Sequence, residues 1–545
     1  MTQDSINATA LAFLHSKQPM VNICYVYDDD SNPTQIDYQT LIANAKGADP
    51  FNLPDPGSPG FQTLVENLYN AGFMFGFHAA MGLPDGFAVP SLPDVVTLGP
   101  TAADPVQYRL LCKNFLLVEV KKAPGRAAVL GSYAQPKGPE GAPWVFTYVV
   151  KLVDKPVADN AAFIASAAFG NLPVPTQAKL TGAPNDFTIR QLLFDFANAA
   201  CSDRPQISGV KNPKLLELLY EDFSIKYFAE MAGAGAAVVA VTPASGDPLS
   251  SLQTEFSINH NAADPKLATL NYLCATAGHA LPVSKPFSWE WVDAAEANSF
   301  DGVCAMNRHL FVNSLQSHLG SYVDSNKWLP DPIYVEVGLV TYGALFGIVP
   351  RNHTWPPGKT PPGLAIDVET LTAPPTGELL LHWQFGAHQE YDYLSGTSWN
   401  LGRTSFDLSV SCSGNVLTVT QHAVVYCKLV MVTFFRREWN LVDLTITDTF
   451  TLAVDHSGAL VAQRSSTQTD NSASISHESL VPDLKDRFER AQAAAKGSLQ
   501  AAMVDVPLSL IDNVIFPGGK GFLFKDVRFS DHQDLIAHVT YADPS

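Results

Sequence analysis

The stretch Leu441 to Val454 constrains the fold more than any other. Val442, Leu444, Ile446, Phe450, Leu452 and Val454 share one parity, and Asp443, Thr445, Thr447, Thr449 and Thr451 share the other. Side chains alternate across a strand, so the pattern predicts one continuous β-strand with one apolar face. At about 3.3 Å per residue it would span roughly 46 Å. The usual strand has about five or six residues. A strand this long needs an equally long apolar partner.

That partner is predicted just downstream. Leu484, Phe488, Ala491, Ala495, Leu499, Ala502 and Met503 fall on one helical stripe. Lys485, Glu489, Arg490, Gln492 and Lys496 lie away from it. Asp483 stands where a cap would sit, with Asp486 in the first turn. A helix from Leu484 to Val504 would be about 31 Å long. Its alanines leave space that larger side chains would fill.

The rest of the chain reads as two regions. Residues 1–225 are mixed. Phe61, Leu64, Val65 and Leu68 predict a helix from Phe61 into the 70s, followed by a buried apolar segment at Phe73 to Phe77. Tyr108 to Val120, Trp144 to Val153 and Phe187 to Arg190 read as strands, with a Gly/Pro-rich loop from Gly131 to Pro143. Residues 226–545 form the second region. Leu215 to Ala240 reads as helical, as does Asn307 to Val323, where Phe311, Leu315, Leu319 and Val323 recur every fourth position. From Ile333 the period changes to two. Pro350 to Pro375 holds seven prolines and reads as a long loop or lid. Leu379, Leu381, Trp383 and Phe385 then alternate, and Phe406 to Cys412 runs into a Ser413-Gly414-Asn415 hairpin turn. Strands close the chain near Gly521 to Phe529 and Leu535 to Tyr541.

Composition narrows the function classes. Hydrophobic residues are 46% of the 545 and charged residues 16%, enough apolar material for large cores. The net charge of −19 repels phosphate backbones, which argues against nucleic-acid binding. The N-terminus lacks a basic start followed by an apolar run, so no signal peptide is expected. No apolar stretch is long enough for a transmembrane helix. Seven dispersed cysteines in apolar surroundings fit reduced, buried thiols. These features point to a cytoplasmic protein, with release by a non-classical route left open.

Familiar catalytic spacings are missing: there is no G-x-S-x-G, H-E-x-x-H or C-x-x-C. Gly358-Lys359-Thr360 has His353 where a phosphate loop needs its first glycine. Asp28-Asp29-Asp30 opens like a calcium loop but continues with Pro33 and Gln39 at the positions that need Gly and Glu. His388, Glu390 and Asp392 share one side of an extended segment, the one trio with acid–base or metal potential. Phe287, Trp289 and Trp291 share a strand face and read as packing residues with cavity-lining potential.

Two blocks carry a resemblance. One is Phe287-Ser288-Trp289-Glu290-Trp291-Val292, followed by Gly302-Val303-Cys304-Ala305-Met306-Asn307-Arg308. The other is Phe516-Pro517, then Phe522-Leu523-Phe524-Lys525-Asp526-Val527-Arg528-Phe529 and Leu535. Together they resemble the accessory proteins encoded beside clostridial neurotoxin genes, of the tubular lipid-binding (TULIP) superfamily. The resemblance spans residues 220–545. It implies an α+β fold of long curved antiparallel sheets wrapped around long helices, elongated, with an apolar groove for lipid tails.

The expected function is therefore non-enzymatic binding of a lipid or other long hydrophobic molecule, without cofactor, metal or catalytic residue. Ile446, Phe450, Leu452, Phe488, Leu499, Met503, Trp289 and Trp291 are the expected lining. The alternatives are a scaffold binding other proteins of a toxin or pesticidal complex, and a small-molecule enzyme using His388, Glu390 and Asp392.

Overall fold

A computed structural model describes residues 1–15, 20–101, 104–138, 141–150, 152–156, 188–194, 205–223, 238–244, 253–259, 267–275, 299–337, 340–392, 399–431, 435–474, 484–499, 502–503, 505–506, 508 and 522–541. The chain divides into two compact units. The first comprises 1–302, 514–522 and 540–545, and the second 303–513 and 523–539.

The first unit holds helices α1 (Gln3–His15), α2 (Tyr38–Asn44), α3 (Phe61–Asn70) and α4 (Pro213–Leu218). Its strands are β1 (Met20–Tyr27), β2 (Pro33–Ile36), β3 (Phe73–Met81), β4 (Val96–Thr101), β5 (Asp104–Lys121), β6 (Val129–Ala134), β7 (Val145–Val150), β8 (Leu152–Pro156), β9 (Thr188–Phe194), β10 (Gln206–Ser208), β11 (Val238–Ala244), β12 (Gln253–Asn259) and β13 (Thr269–Ala275). The main sheet runs β10-β7-β5-β3-β1-β2, with β4 and β6 also on β5. Both faces of β5 are covered, which is why Leu110, Leu111 and Cys112 are all buried. Phe77, Phe115 and Phe146 pack around Phe223, with Phe115 and Phe223 edge to face at 4.7 Å. Leu41, Val65 and Leu68 of α2 and α3 join Val118 and Val120 of β5 in a second core.

Two expectations change here. Gly131 to Ala134 is strand, within β6, because it pairs along β5 from Leu116 to Glu119. Val238 to Ala240 is strand as well: β-branched Val238, Val239, Val241 and Thr242 favour pairing with β9 over the helix suggested by neighbouring alanines. Phe287, Trp289 and Trp291 lie outside the described residues.

The second unit contains β14 (Gly302–Met306), α5 (Arg308–Ser325), β15 (Trp328–Val337), β16 (Val340–Pro350), β17 (Leu364–Thr372), β18 (Leu379–Asp392), β19 (Trp399–Ser413), β20 (Val416–Met431), β21 (Phe435–Val454), β22 (Leu460–Asp470), α6 (Leu484–Ser498), β23 (Phe522–Phe529) and β24 (Leu535–Tyr541). A six-stranded antiparallel sheet runs in simple sequence order from β17 to β22. The predicted long strand is real and longer than expected, since β21 has 20 residues. The described parts of the two blocks that carried the resemblance, Gly302–Met306 from one and Phe522–Phe529 with Leu535 from the other, meet in the small sheet β14-β24-β23.

The fold is thus β-rich and antiparallel, and its described helices are short beside its strands. The 18-residue α5 is about 27 Å long. The α6 helix stops at Ser498, so its 15 residues give about 22 Å instead of 31 Å. Gly497 and Ser498 are poor helix formers, and the chain leaves the helix there with Leu499 still bonded to the Ala495 carbonyl. The Pro350–Pro375 segment also differs from a plain loop. Its prolines stop at Pro362 and resume at Pro374, and the proline-free β17 between them can donate its N–H groups to β18. Gly363 makes the entry turn at φ +70°, where any Cβ would run into the Glu390 carbonyl oxygen.

Candidate ligand-binding face

One face of the four central strands, β18 to β21, is buried at every other residue. It presents Leu381, Trp383, Phe385 and Ala387 from β18, then Phe406, Leu408 and Val410 from β19. Leu417, Val419, Ala423 and Val425 follow on β20, and Leu444, Ile446, Phe450 and Leu452 on β21. Cross-strand register stacks them in rows, such as Leu381–Val410–Val419 and Leu417–Phe450.

Two helices cover this face in different places. Tyr322 of α5 reaches the middle of the sheet: its hydroxyl donates to Gln421 and its ring lies 6.4 Å from that of Phe406. Burial raises the Tyr322 phenol pKa above its ordinary value. The α6 helix meets only the start of β21's apolar run. Phe488 packs edge-on against Trp439 at 5.2 Å, and Gln492 donates to the Leu441 carbonyl at 2.7 Å. Gln492 therefore turns toward the strand, contrary to its place off the predicted stripe.

The expected lining residues are all buried where they are described, but they form two groups. Phe488 belongs to α6 and Leu499 and Met503 come just after it, whereas Ile446, Phe450 and Leu452 lie further along β21. Leu441 and Phe450 are about 30 Å apart along the strand. A lipid tail fills about half of a ~30 Å bilayer core, so the tract is longer than one tail.

Polar groups interrupt the apolar face. Asp448 shares the parity of Ile446 and Phe450 and is fully buried. One of its oxygens accepts from Arg464 Nε at 3.1 Å and Nη2 at 2.7 Å, while Oδ2 has no hydrogen-bond partner. Gln421 sits diagonally across on β20, and Asn400 donates to Gln389 at 2.8 Å near the other end. The inner side of β22 is open: Arg464, Ser466 and Gln468 are exposed although they share the face of buried Asp448 and Ile446. The sheet edge is therefore a polar rim beside an apolar interior.

At the far end of β22, Lys496 of α6 donates to Asp470 at 2.6 Å. That bond is the main cause holding the Asp470 carboxyl at about 2, with help from Ser472. Its folded value lies below the ordinary ~3.9, so the contribution is present at neutral pH and is lost as pH falls from about 4 through about 2. The pair is partly exposed, which limits it to below about 1 kcal/mol. In Lys496→Ala, carboxyl NMR titration is expected to find Asp470 moved up toward ordinary values.

The three residues of the catalytic alternative sit on the outer face of β18. His388 Nδ1 lies 2.6 Å from Asp367 on β17, and Glu390 and Asp392 are exposed. Among the described residues no group of three His, Cys, Asp or Glu side chains is placed to hold a metal ion. His382 pairs with Asp407 and His422 with Asp443 in the same cross-strand manner, so such pairs recur on the outer face. Cys24, Cys112, Cys412 and Cys427 are free thiols and buried, and Cys304 is buried as well. Burial pushes Cys24 and Cys427 up to about 12 and Cys412 to about 11, which removes nucleophilic character. No described helix is long and apolar enough to cross a membrane.

Fold and face together define a β-rich antiparallel protein whose apolar sheet face is covered by α5, α6 and the β15–β16 pair. No family model matches the chain, and no curated protein matches its sequence. Among solved structures, P47 of Clostridium botulinum E1 is similar over 96% of this chain and 99% of its own, at 10% identity and a TM-score of 0.37. A lipopolysaccharide binding protein is similar over 96% of this chain and 98% of its own, at 9% identity and a TM-score of 0.19. Overlaps at these scores leave the functional argument to the residues of this chain.

Proposed function

We propose that this protein is a TULIP-like, non-enzymatic binder of a lipid or another long apolar molecule, held on the inner face of the β18–β21 sheet beneath α5 and α6. The observation that carries this reading is the unbroken buried tract on β18–β21 beside an exposed polar rim on β22. Ligand sites of this type are mostly apolar with a few orienting polar groups. Ile446, Phe450 and Leu452 line one half, and Phe488, Leu499 and Met503 the other. The direct test is organic extraction of the purified protein followed by mass spectrometry, with uptake of a fluorescent fatty acid alongside. A long-chain molecule in the extract, or saturable uptake, is expected; neither one appearing would reject the reading.

A second reading has its own observation. Ile366 and Leu371 are exposed on β17, which among the described residues ends the sheet and so presents an edge for strand addition. A protein partner adding a strand there would make the chain a scaffold. Gel filtration with candidate partners discriminates: an Ile366→Lys variant would lose the complex and keep fatty-acid uptake.

A further inference from the structure

The buried carboxylate on the apolar face says which class of lipid head fits. We infer that Asp448 is a hydrogen-bond acceptor for a neutral, hydroxyl-headed lipid entering at the β22 rim. The inference rests on the apolar-ligand reading above and adds the head chemistry.

The argument starts from satisfaction. A buried carboxylate offers about four acceptor sites on two oxygens. Arg464 uses Oδ1 twice, and Oδ2 is left buried without a partner. A buried acceptor with no donor carries a desolvation cost that any correctly placed donor would relieve. Among the described residues, Val419 lies directly opposite on β20 and Ile446 and Phe450 flank along β21, none of them with a side-chain donor.

Charge selects the donor. Arg464 already neutralises Asp448, so the pair carries no net charge to attract an ammonium head. A carboxylate head would bring a second anion with no proton to give. A hydroxyl donates without adding charge. Position agrees: Arg464 keeps 31% of its side chain exposed while Asp448 keeps 1%, so the pair runs from solvent into the face at the open edge. The tail would then lie along Ile446 and Phe450.

The test compares two probes on the whole protein: a pyrene-labelled long-chain alcohol and the methyl ether of the same molecule. The ether keeps the tail and removes the donor. Hydrogen bonds to charged groups are worth enough that the alcohol should bind about tenfold tighter or more. Asp448→Asn keeps the volume and one acceptor for Arg464 but replaces the other oxygen with an amide donor, so the preference should vanish or reverse. Equal binding of both probes to the unaltered protein would overturn the anchor and leave the apolar reading standing. If neither probe binds, the apolar reading itself fails, and the anchor with it. The comparison on unaltered protein decides the matter even if Asp448→Asn does not fold.

Discussion

Replacing Arg308 by Met is expected to cost about 3–5 kcal/mol of folding stability. Arg308 is the first residue of α5 and is only 3% exposed. Its guanidinium donates to three carbonyls: Gly377 at 2.8 Å, Pro374 at 2.9 Å and Leu379 at 2.6 Å. It also reaches Gln533, and its backbone N–H donates to Asp534 at 2.7 Å. One side chain thus ties the β17–β18 connection and the β23–β24 turn to the start of the helix that covers the sheet. Met fills the aliphatic volume but leaves all three carbonyls without their donor. Each kcal/mol shifts Tm by about 2–4 °C in a domain of this size, so the fall should be on the order of 10 °C. Arg308→Lys should recover only part, because an ammonium lacks the planar fork. His309→Ala, one residue along and exposed, should stay within about 0.5 kcal/mol. Calorimetry of the three variants checks this, and a Met variant as stable as the parent would refute the role.

Phe450→Ala is expected to cost a similar amount, about 3–5 kcal/mol, through lost apolar burial and a residual void. Phe450 is fully buried opposite Leu417, between Asp448 and Leu452 on its own strand. Thr449→Ala, on the outer face, should cost less than about 1 kcal/mol. The ligand reading adds a second expectation. A long-chain molecule that occupies the face binds the folded state alone, so it should raise the Tm of Phe450→Ala and narrow the gap to the parent. Thermal scans with and without a long-chain alcohol measure both effects. A gap that does not respond would place Phe450 in a sealed core instead of a ligand surface.

The parts legible in the sequence were those that period alone enforces. A sheet buried on one face keeps its apolar residues at every second position, so β18, β19 and β21 could be read from Leu379 to Val454. The α5 helix was legible because Phe311, Leu315, Leu319 and Val323 mark its buried stripe. Asp448 was passed over because scanning for apolar residues skips a polar one, although its parity alone places it on the inner face. Arg308 stood inside a recognised block, but its role depends on Asp534, 226 residues away. The β17 strand was hidden by the proline count around it. The end of α6 was misplaced because Leu499, Ala502 and Met503 continue the apolar spacing past Gly497 into a segment that is no longer helix.

Those misses concentrate at the face itself. Apolar pattern locates a buried sheet, but the polar groups that would orient a ligand are set by cross-strand register and by covering helices. Tyr322 meets Gln421, and Arg464 meets Asp448, only once register is fixed. Helix α5 accordingly reaches the sheet at Gln421 of β20 and Phe406 of β19, whereas α6 sits at Trp439 and Leu441 of β21.

Photolabelling tests the central claim most directly. The protein is loaded with a long-chain alcohol carrying a diazirine in its tail, irradiated, digested and mapped by mass spectrometry. Adducts are expected on inner-face residues of β18 to β21, Ile446, Phe450 and Leu452 among them, and should disappear when unlabelled alcohol competes. Adducts confined to other surfaces, or unaffected by the competitor, would contradict a ligand held between this sheet and its helices.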